Sequence, residues 1–65
     1  MEFTTAIISA LTTLTRSAIR GPEGKLLASC EKLTANGYAT RSGIVFEATE
    51  HGRAVAAALH GYAAA

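Results

Sequence analysis

The chain has 65 residues, of which 49% are hydrophobic and 17% charged, and its formal net charge at pH 7 is +1. A composition this apolar argues against intrinsic disorder, and so small a net charge gives no sign of a nucleic-acid or membrane partner. Chains near this length bury only about 60% of their unfolded surface, so the sequence predicts one domain with a small core.

The cysteine content and the chain ends bear on location. The single cysteine, Cys30, excludes an internal disulfide and favours a reducing cytoplasm. No apolar run reaches the ~18 residues that a membrane-spanning helix needs, so we expect no membrane partner. The N-terminal stretch MEFTTAIISALTTLT carries an acid where a signal peptide carries basic residues, and we interpret it as part of the fold. Ala63–Ala65 is predicted to be a frayed tail.

An apolar stripe with helical spacing predicts a first helix over residues 4–20. The stripe consists of Ile7, Leu11, Leu14 and Ala18. Thr4 is the predicted N-cap, and Gly21 followed by Pro22 is a strong stop signal. A cluster of threonines, which are poor helix-interior residues, leaves open whether this segment is one helix or two.

A second helix is predicted over residues 22–36. Its apolar stripe consists of Leu26, Cys30 and Leu33. Pro22 and Glu23 suit the first turn, because proline needs no amide partner there and a carboxylate complements the helix dipole. The helix is predicted to end at Gly37, with Tyr38 packing back onto it as in a Schellman motif.

Residues 38–48 are predicted to form a two-stranded hairpin around a turn at Ser42-Gly43. Strand alternation divides the side chains between two faces of the hairpin. One face carries Ile44, Phe46 and Ala48, and the other carries Val45 and Glu47.

A last helix is predicted to begin after Thr49 as N-cap, with Glu50 in its first turn. It is predicted to end at His60-Gly61, with Tyr62 folding back. The order of one or two helices, a helix, a hairpin and a C-terminal helix predicts a small domain of the α+β class.

Two stretches together resemble a known family: LLASCEKLTANGYATR, and GIVFEATEHGRAVAAAL with its Thr-Glu-x-Gly-Arg run. The run consists of Thr49, Glu50, Gly52 and Arg53. In this order, over residues 22–60, they resemble the winged helix-turn-helix domain of bacterial transcription regulators. The resemblance implies a single winged-helix-like domain over residues 1–65. Its N-terminal half is abbreviated, because few residues precede the presumed recognition helix.

The resemblance implies DNA binding by the second helix and the hairpin. Lys25, Ser29 and Lys32 lie at i, i+4 and i+7 on one predicted helix face, where such side chains suit phosphates and base edges. Arg41 lies beside the predicted turn, within reach of a phosphate or a minor groove. The alternative is a solvated helix face and a surface arginine, since neighbouring glutamates repel the DNA backbone.

On the first helix, small hydroxyl residues and two arginines lie opposite the apolar stripe. They are Thr5, Ser9, Thr12, Arg16 and Arg20. A solvated face usually carries more charge, so we interpret this one as a self-association or partner surface, and a homodimer is one expected state.

Residues with catalytic or metal-binding chemistry do not form a recognised set. Cys30 lies in an apolar stripe, which favours a buried hydrophobic role over a nucleophilic one. His51 and His60 have no further ligands at metal-binding spacing and are interpreted as helix-flanking polar residues. A local ion pair between Glu50 and Arg53 is the default prediction. The winged-helix resemblance implies that Arg53 fixes the hairpin to the last helix, and we favour this structural role. We expect no enzymatic activity, no metal and no cofactor.

Two functions of different classes follow. The first is a small DNA-binding regulator of transcription, which the Thr-Glu-x-Gly-Arg run favours and which is the commoner use of this pattern. The alternative is a protein-binding module of winged-helix shape, such as a small phage-encoded inhibitor of a bacterial defence complex (anti-CRISPR-like). The near-neutral charge and the short hairpin favour that alternative.

Overall fold

A computed structural model of the chain describes residues 1–64, with the side chains of residues 1–60. The elements in chain order are α1 (Thr5–Arg16), β1 (Ile19–Arg20), α2 (Gly24–Ala35), β2 (Ala39–Ser42), β3 (Val45–Ala48) and α3 (Glu50–Ala64). The predicted α+β class is confirmed. A single helix precedes α2, and a short strand separates the two.

Helix α1 begins where the sequence predicts and ends earlier. The side-chain oxygen of Thr4 caps it by accepting a hydrogen bond from the Ile7 N–H at 3.2 Å. The helix ends at Arg16, and Ser17 is already extended at φ −161° and ψ 159°. The segment 4–20 therefore contains one helix, and the alternative of two short helices is wrong.

Beyond α1 the chain forms a strand where a helix was predicted. Ile19 pairs with Phe46 and Arg20 with Val45. The last position of the predicted helical stripe, Ala18, is exposed. A β-branched isoleucine packs well on a pleated sheet, and Ile19 is buried there, whereas one more helical turn would have buried only an alanine.

The three strands form one antiparallel sheet in the order β1-β3-β2, so the predicted two-stranded hairpin is joined by a third strand. Ser42 pairs with Val45, which leaves Gly43 and Ile44 as the turn, one position later than predicted. Gly43 has φ 61° and Ile44 does not have a positive φ, as in a type II′ turn. The shift takes Ile44 out of the strand face that it was predicted to share with Phe46: Ile44 is 54% exposed, whereas Phe46 is 1% exposed.

Helix α2 begins later than predicted and ends as predicted. Pro22 and Glu23 precede the helix, because the glycine that follows them has a left-handed φ of 59° and the helical turns start there. At the other end Gly37 has φ 81°, and the Tyr38 N–H donates to the Leu33 carbonyl at 2.9 Å. This is the predicted Schellman ending.

The core draws on all six elements, with α1 at its centre, packed against α2, α3 and β3. Its buried members are Ile7, Ala10, Leu11, Leu14, Ile19, Cys30, Leu33, Ala39, Phe46 and Ala56. One predicted member, Leu26, is 40% exposed, because it lies in the first turn of α2, beyond the edge of this cluster.

The helices cover one face of the sheet and leave the other face open. Ile19, Ala39 and Phe46 point to the buried side, and the alternate residues point outward. Those outward residues are Arg20, Thr40, Ser42, Val45 and Glu47, of which Val45 alone is half-buried. No helix in the described part of the chain is long and apolar enough to cross a lipid bilayer.

Helix α3 is anchored at its start by Thr49, which confirms the predicted N-cap. The Thr49 hydroxyl accepts a hydrogen bond from the Gly52 N–H at 3.0 Å and donates to the Gly37 carbonyl at 2.8 Å. Glu50 occupies the first turn, as predicted. The helix continues to Ala64, so its predicted end near residue 60 is wrong.

Two predictions for the C-terminus fall wholly or partly on what the structure does not describe. The expected fold-back of Tyr62 depends on a side chain outside the described set. Of the expected frayed tail, Ala63 and Ala64 continue α3, and Ala65 lies outside the described residues.

Candidate binding surfaces

The lysine face of α2 is smaller than the sequence predicts. Lys25 and Lys32 are exposed, but Ser29, the middle member of the predicted set, is buried at 6% exposure. Ser29 lies four residues before Leu33, so the two share the buried side of the helix. The serine hydroxyl therefore does not lie on an open surface between the two lysines.

Acidic residues offset those lysines. Glu31 is exposed on α2 beside Lys32, and Glu23 is exposed directly before the helix. The exposed side of α2 thus carries balanced charge, and a DNA backbone would meet carboxylates together with the ammonium groups.

Arg41 is folded back onto the hairpin instead of extending from it. Its Nε donates to the Gly43 carbonyl at 2.8 Å, and its Cζ lies 5.2 Å from the centre of the Phe46 ring. The strand register explains the second contact, since Arg41 pairs directly with Phe46. To reach a phosphate, Arg41 would give up a hydrogen bond and a cation–π contact, each about 0.5–1.5 kcal/mol.

The predicted partner face of α1 is divided in the structure. Thr5, Ser9 and Arg16 are exposed on the helix, but Arg20 lies on β1 because α1 ends before it. Thr12 is half-buried and faces α3: its Oγ1 lies 2.9 Å from the Nε2 of His60. Of the predicted face, a partner can therefore contact only Thr5, Ser9 and Arg16 together on the surface of α1.

Arg53 joins α3 to the end of α1. Its Nη1 donates to the Thr15 carbonyl at 3.1 Å, so the predicted ion pair with Glu50 is wrong. The last carbonyls of a helix lack an intrahelical donor and carry partial negative charge, which a guanidinium complements. This contact is structural, but it joins α3 to α1, whereas Arg53 was predicted to fix the hairpin to the last helix.

His51 and Cys30 each have a packing role. His51 stacks on the Tyr38 ring at 4.8 Å between ring centres, and Tyr38 also packs against Phe3 at 5.7 Å. Cys30 is fully buried, and burial raises the pKa of its thiol, which disfavours the nucleophilic thiolate. Among the described residues, no group of three or more His, Cys, Asp or Glu is placed to hold a metal ion.

Comparison with known proteins gives no match. No protein-family model, no curated protein and no solved structure is significantly similar to this chain.

The structure exposes one surface that the sequence did not predict, the hairpin tip, which we define as residues 42–45. Ile44 is the most exposed large hydrophobic residue among the described ones, at 54%. Its carbonyl accepts a hydrogen bond from the Gly21 N–H at 2.7 Å, which ties the turn to the end of β1. The sequence signal that could have revealed this surface is Gly43. Glycine is preferred as the first residue of a type II′ turn, and with Gly43 in that place Ile44 becomes the second turn residue.

Proposed function

We propose that this chain is a small non-enzymatic protein-binding module that contacts its partner through the hairpin tip. The observation that carries the proposal is the exposure of Ile44. Single exposed hydrophobic residues are common on protein surfaces. Turns, however, usually carry Gly, Asn, Asp, Ser or Pro, because those residues suit the backbone and solvent. An isoleucine at a tight turn is best explained by a contact made outside the chain.

The electrostatics of the other surfaces support the same choice. Of the residues suited to DNA, Ser29 is buried and Arg41 is engaged within the hairpin.

A standard protein interface needs about 800 Å² from each partner. The described surface totals 4247 Å², so one such interface would occupy roughly a fifth of it. The winged-helix resemblance suggests a partner class for such a module, a bacterial protein complex in the cytoplasm such as a defence complex.

Affinity capture tests this proposal. The chain carrying an affinity tag, incubated with bacterial lysate, is expected to retain a protein in stoichiometric amount. The proposal is contradicted if the tagged chain retains only trace amounts of background proteins, whatever the salt concentration.

DNA binding is the second candidate, and the exposure of Lys25 and Lys32 on α2 favours it. Real DNA binding requires an affinity that falls steeply with salt, since each neutralised phosphate releases counterions. Fluorescence anisotropy with a mixed-sequence duplex, over a salt series, separates the two candidates. The protein-binding proposal expects no binding at low salt, and a steep salt-dependent binding curve would establish the DNA candidate.

A further inference from the structure

We infer that Asn36 is a site of spontaneous deamidation, which the hydrogen-bonded end of α2 keeps closed in the folded protein. Asn36 is directly followed by Gly37. Because glycine has no Cβ, its backbone nitrogen can approach the preceding asparagine side chain more closely than that of any residue with a side chain. This chemistry is independent of what the hairpin tip contacts.

The reaction needs only water. The Gly37 nitrogen bonds to Cγ of Asn36, the bond from Cγ to Nδ2 breaks, and ammonia leaves with the proton of the Gly37 amide. Water then opens the cyclic imide that has formed. Opening at Cγ gives aspartate, whereas opening at the backbone carbonyl gives isoaspartate, in which the main chain runs through the former side chain. Nothing is oxidised or reduced.

The junction between α2 and β2 offers the space and the water for this reaction. Asn36 is the C-cap of α2, and Gly37 follows with a left-handed φ of 81°. Both residues are exposed to solvent. A Cβ atom built on Gly37 would meet no atom within 4 Å, so the surroundings of the glycine are open.

The folded backbone nevertheless keeps the reacting atoms apart. Ring closure requires the Gly37 nitrogen to eclipse Cβ of Asn36. The ψ of Asn36 is 8°, so the Gly37 nitrogen eclipses the backbone nitrogen of Asn36 instead. The side-chain amide is also engaged, since its Nδ2 donates to the Lys32 carbonyl at 2.8 Å. The reaction therefore needs a rotation about the Cα–C bond of Asn36.

Further hydrogen bonds oppose that rotation. The Gly37 N–H donates to the Thr34 carbonyl at 3.2 Å. The Tyr38 N–H donates to the Leu33 carbonyl at 2.9 Å. The Gly37 carbonyl accepts from the Thr49 hydroxyl at 2.8 Å. Rotation would reorient the Gly37 amide and disrupt this set, so the reaction proceeds through a local opening of the junction, as solvent-exposed hydrogen bonds at the end of an element allow.

The product weakens the same junction. A carboxylate at position 36 cannot donate to the Lys32 carbonyl, and its negative charge is unfavourable at the C-terminal end of a helix. Isoaspartate also lengthens the main chain by one carbon directly before Gly37. We therefore expect deamidated chains to be less stable than unmodified ones.

The composition of the chain makes the modification easy to assign. Asn36 is the only asparagine, and the chain contains neither glutamine nor aspartate. The test follows the intact mass and the peptide map of the full chain in warm, mildly alkaline buffer, with and without denaturant. Deamidation at position 36 is expected in both, at least about tenfold slower in the folded protein. Asn36→Gln should react far more slowly in denaturant, because its ring is one atom larger.

A matched pair of variants tests the local opening. Thr49→Ala removes the hydroxyl that holds the Gly37 carbonyl, so it is expected to speed deamidation of the folded chain by about threefold or more. Ala54→Gly destabilises α3 at an exposed position away from the junction, and it should leave the folded rate within about twofold of wild type. In denaturant the wild type and both variants should react at the same rate.

Each contrary result overturns a stated part of the inference. Equal rates in the folded and unfolded wild type would show that the native junction does not close the site. Equal acceleration by Thr49→Ala and Ala54→Gly would show that the reaction passes through global unfolding. A folded Thr49→Ala chain that stays unmodified would show that the junction does not open. Deamidated chains, separated by ion exchange, should unfold at a lower temperature than unmodified ones, and an equal temperature would contradict the expected weakening.

Discussion

Gly52 lies directly against the backbone of Tyr38. A Cβ atom at Gly52 would overlap the Tyr38 carbonyl oxygen and lie 2.9 Å from the carbonyl carbon. The same carbonyl accepts a hydrogen bond from the Thr49 N–H at 3.1 Å. The first turn of α3 therefore packs against the residue that directly precedes β2. The glycine of the Thr-Glu-x-Gly-Arg run is required by this close approach.

Gly52→Ala is expected to destabilise the fold by about 2 kcal/mol or more, because the added methyl group meets backbone atoms that no rotamer change can move. In an ordinary helix the same substitution stabilises by about 1 kcal/mol. Thermal unfolding, monitored by circular dichroism, shows whether Gly52→Ala raises or lowers the stability of the fold. Ala54→Gly, at an exposed position of α3, is the control and should cost about 1 kcal/mol. A more stable Gly52→Ala variant would show that α3 does not approach Tyr38 this closely.

Arg53→Met is expected to cost about 1 kcal/mol, because it removes the donor to the Thr15 carbonyl at the end of α1. The loss should be the same in a Glu50→Gln background, since the bonded partner of Arg53 is on α1. A double-mutant cycle from chemical denaturation measures the coupling, which we expect below about 0.3 kcal/mol. Strong coupling between Glu50 and Arg53 would contradict this account, because it would show that the two side chains form a local ion pair.

Arg41→Ala is expected to make the protein associate at high concentration. In a two-residue hairpin the pair next to the turn is hydrogen-bonded, so the backbone groups of Arg41 face the open edge of β2. The side chain also covers Phe46 on that edge. An inward-pointing charge is one of the devices that keep edge strands from pairing.

Light scattering against concentration checks this expectation, with Thr40→Ala on the same strand as the control. The Arg41→Ala variant should also lose about 1 kcal/mol of stability. If it stays monomeric wherever Thr40→Ala does, the arginine does not protect the edge.

The buried thiol predicts a pH dependence on the alkaline side. Burial raises the pKa of Cys30 above its ordinary value of 9.0, so the unfolded chain ionises first. The stabilisation linked to this pKa shift is present in full below pH 9.0 and is lost as the pH rises above that value. Cys30→Ala has no thiol to ionise, so its free energy of unfolding should fall less steeply above pH 9.0 than that of the wild type. Parallel alkaline curves for the two proteins would mean that Cys30 is not desolvated.

Features set by neighbouring residues were predictable from the sequence. The cap at Thr49 and the left-handed glycine at Gly37 depend on hydrogen bonds within a few residues, and residue type indicates them directly. The hairpin and its order relative to the helices follow from the strand-forming run around Phe46.

Features set by distant contacts were not predictable. Ile19 becomes a strand residue because Phe46 lies beside it, a pairing that helical spacing within residues 4–20 cannot reveal. Ser29 is buried because of how α2 faces the core, and a serine at that position looks like a surface residue in sequence. A shift of one residue in the turn made Ile44 a turn residue, so it left the strand face that it was predicted to share with Phe46.

Photocrosslinking from position 44 tests the central claim most directly. p-Benzoylphenylalanine replaces Ile44 in one sample and Ala57, an exposed residue of α3, in a control sample. Under irradiation in bacterial lysate, position 44 is expected to form a covalent adduct with one protein, and position 57 is expected to form none. Adducts from position 57 with none from position 44, or adducts from position 44 only to DNA or to a second copy, would contradict the claim.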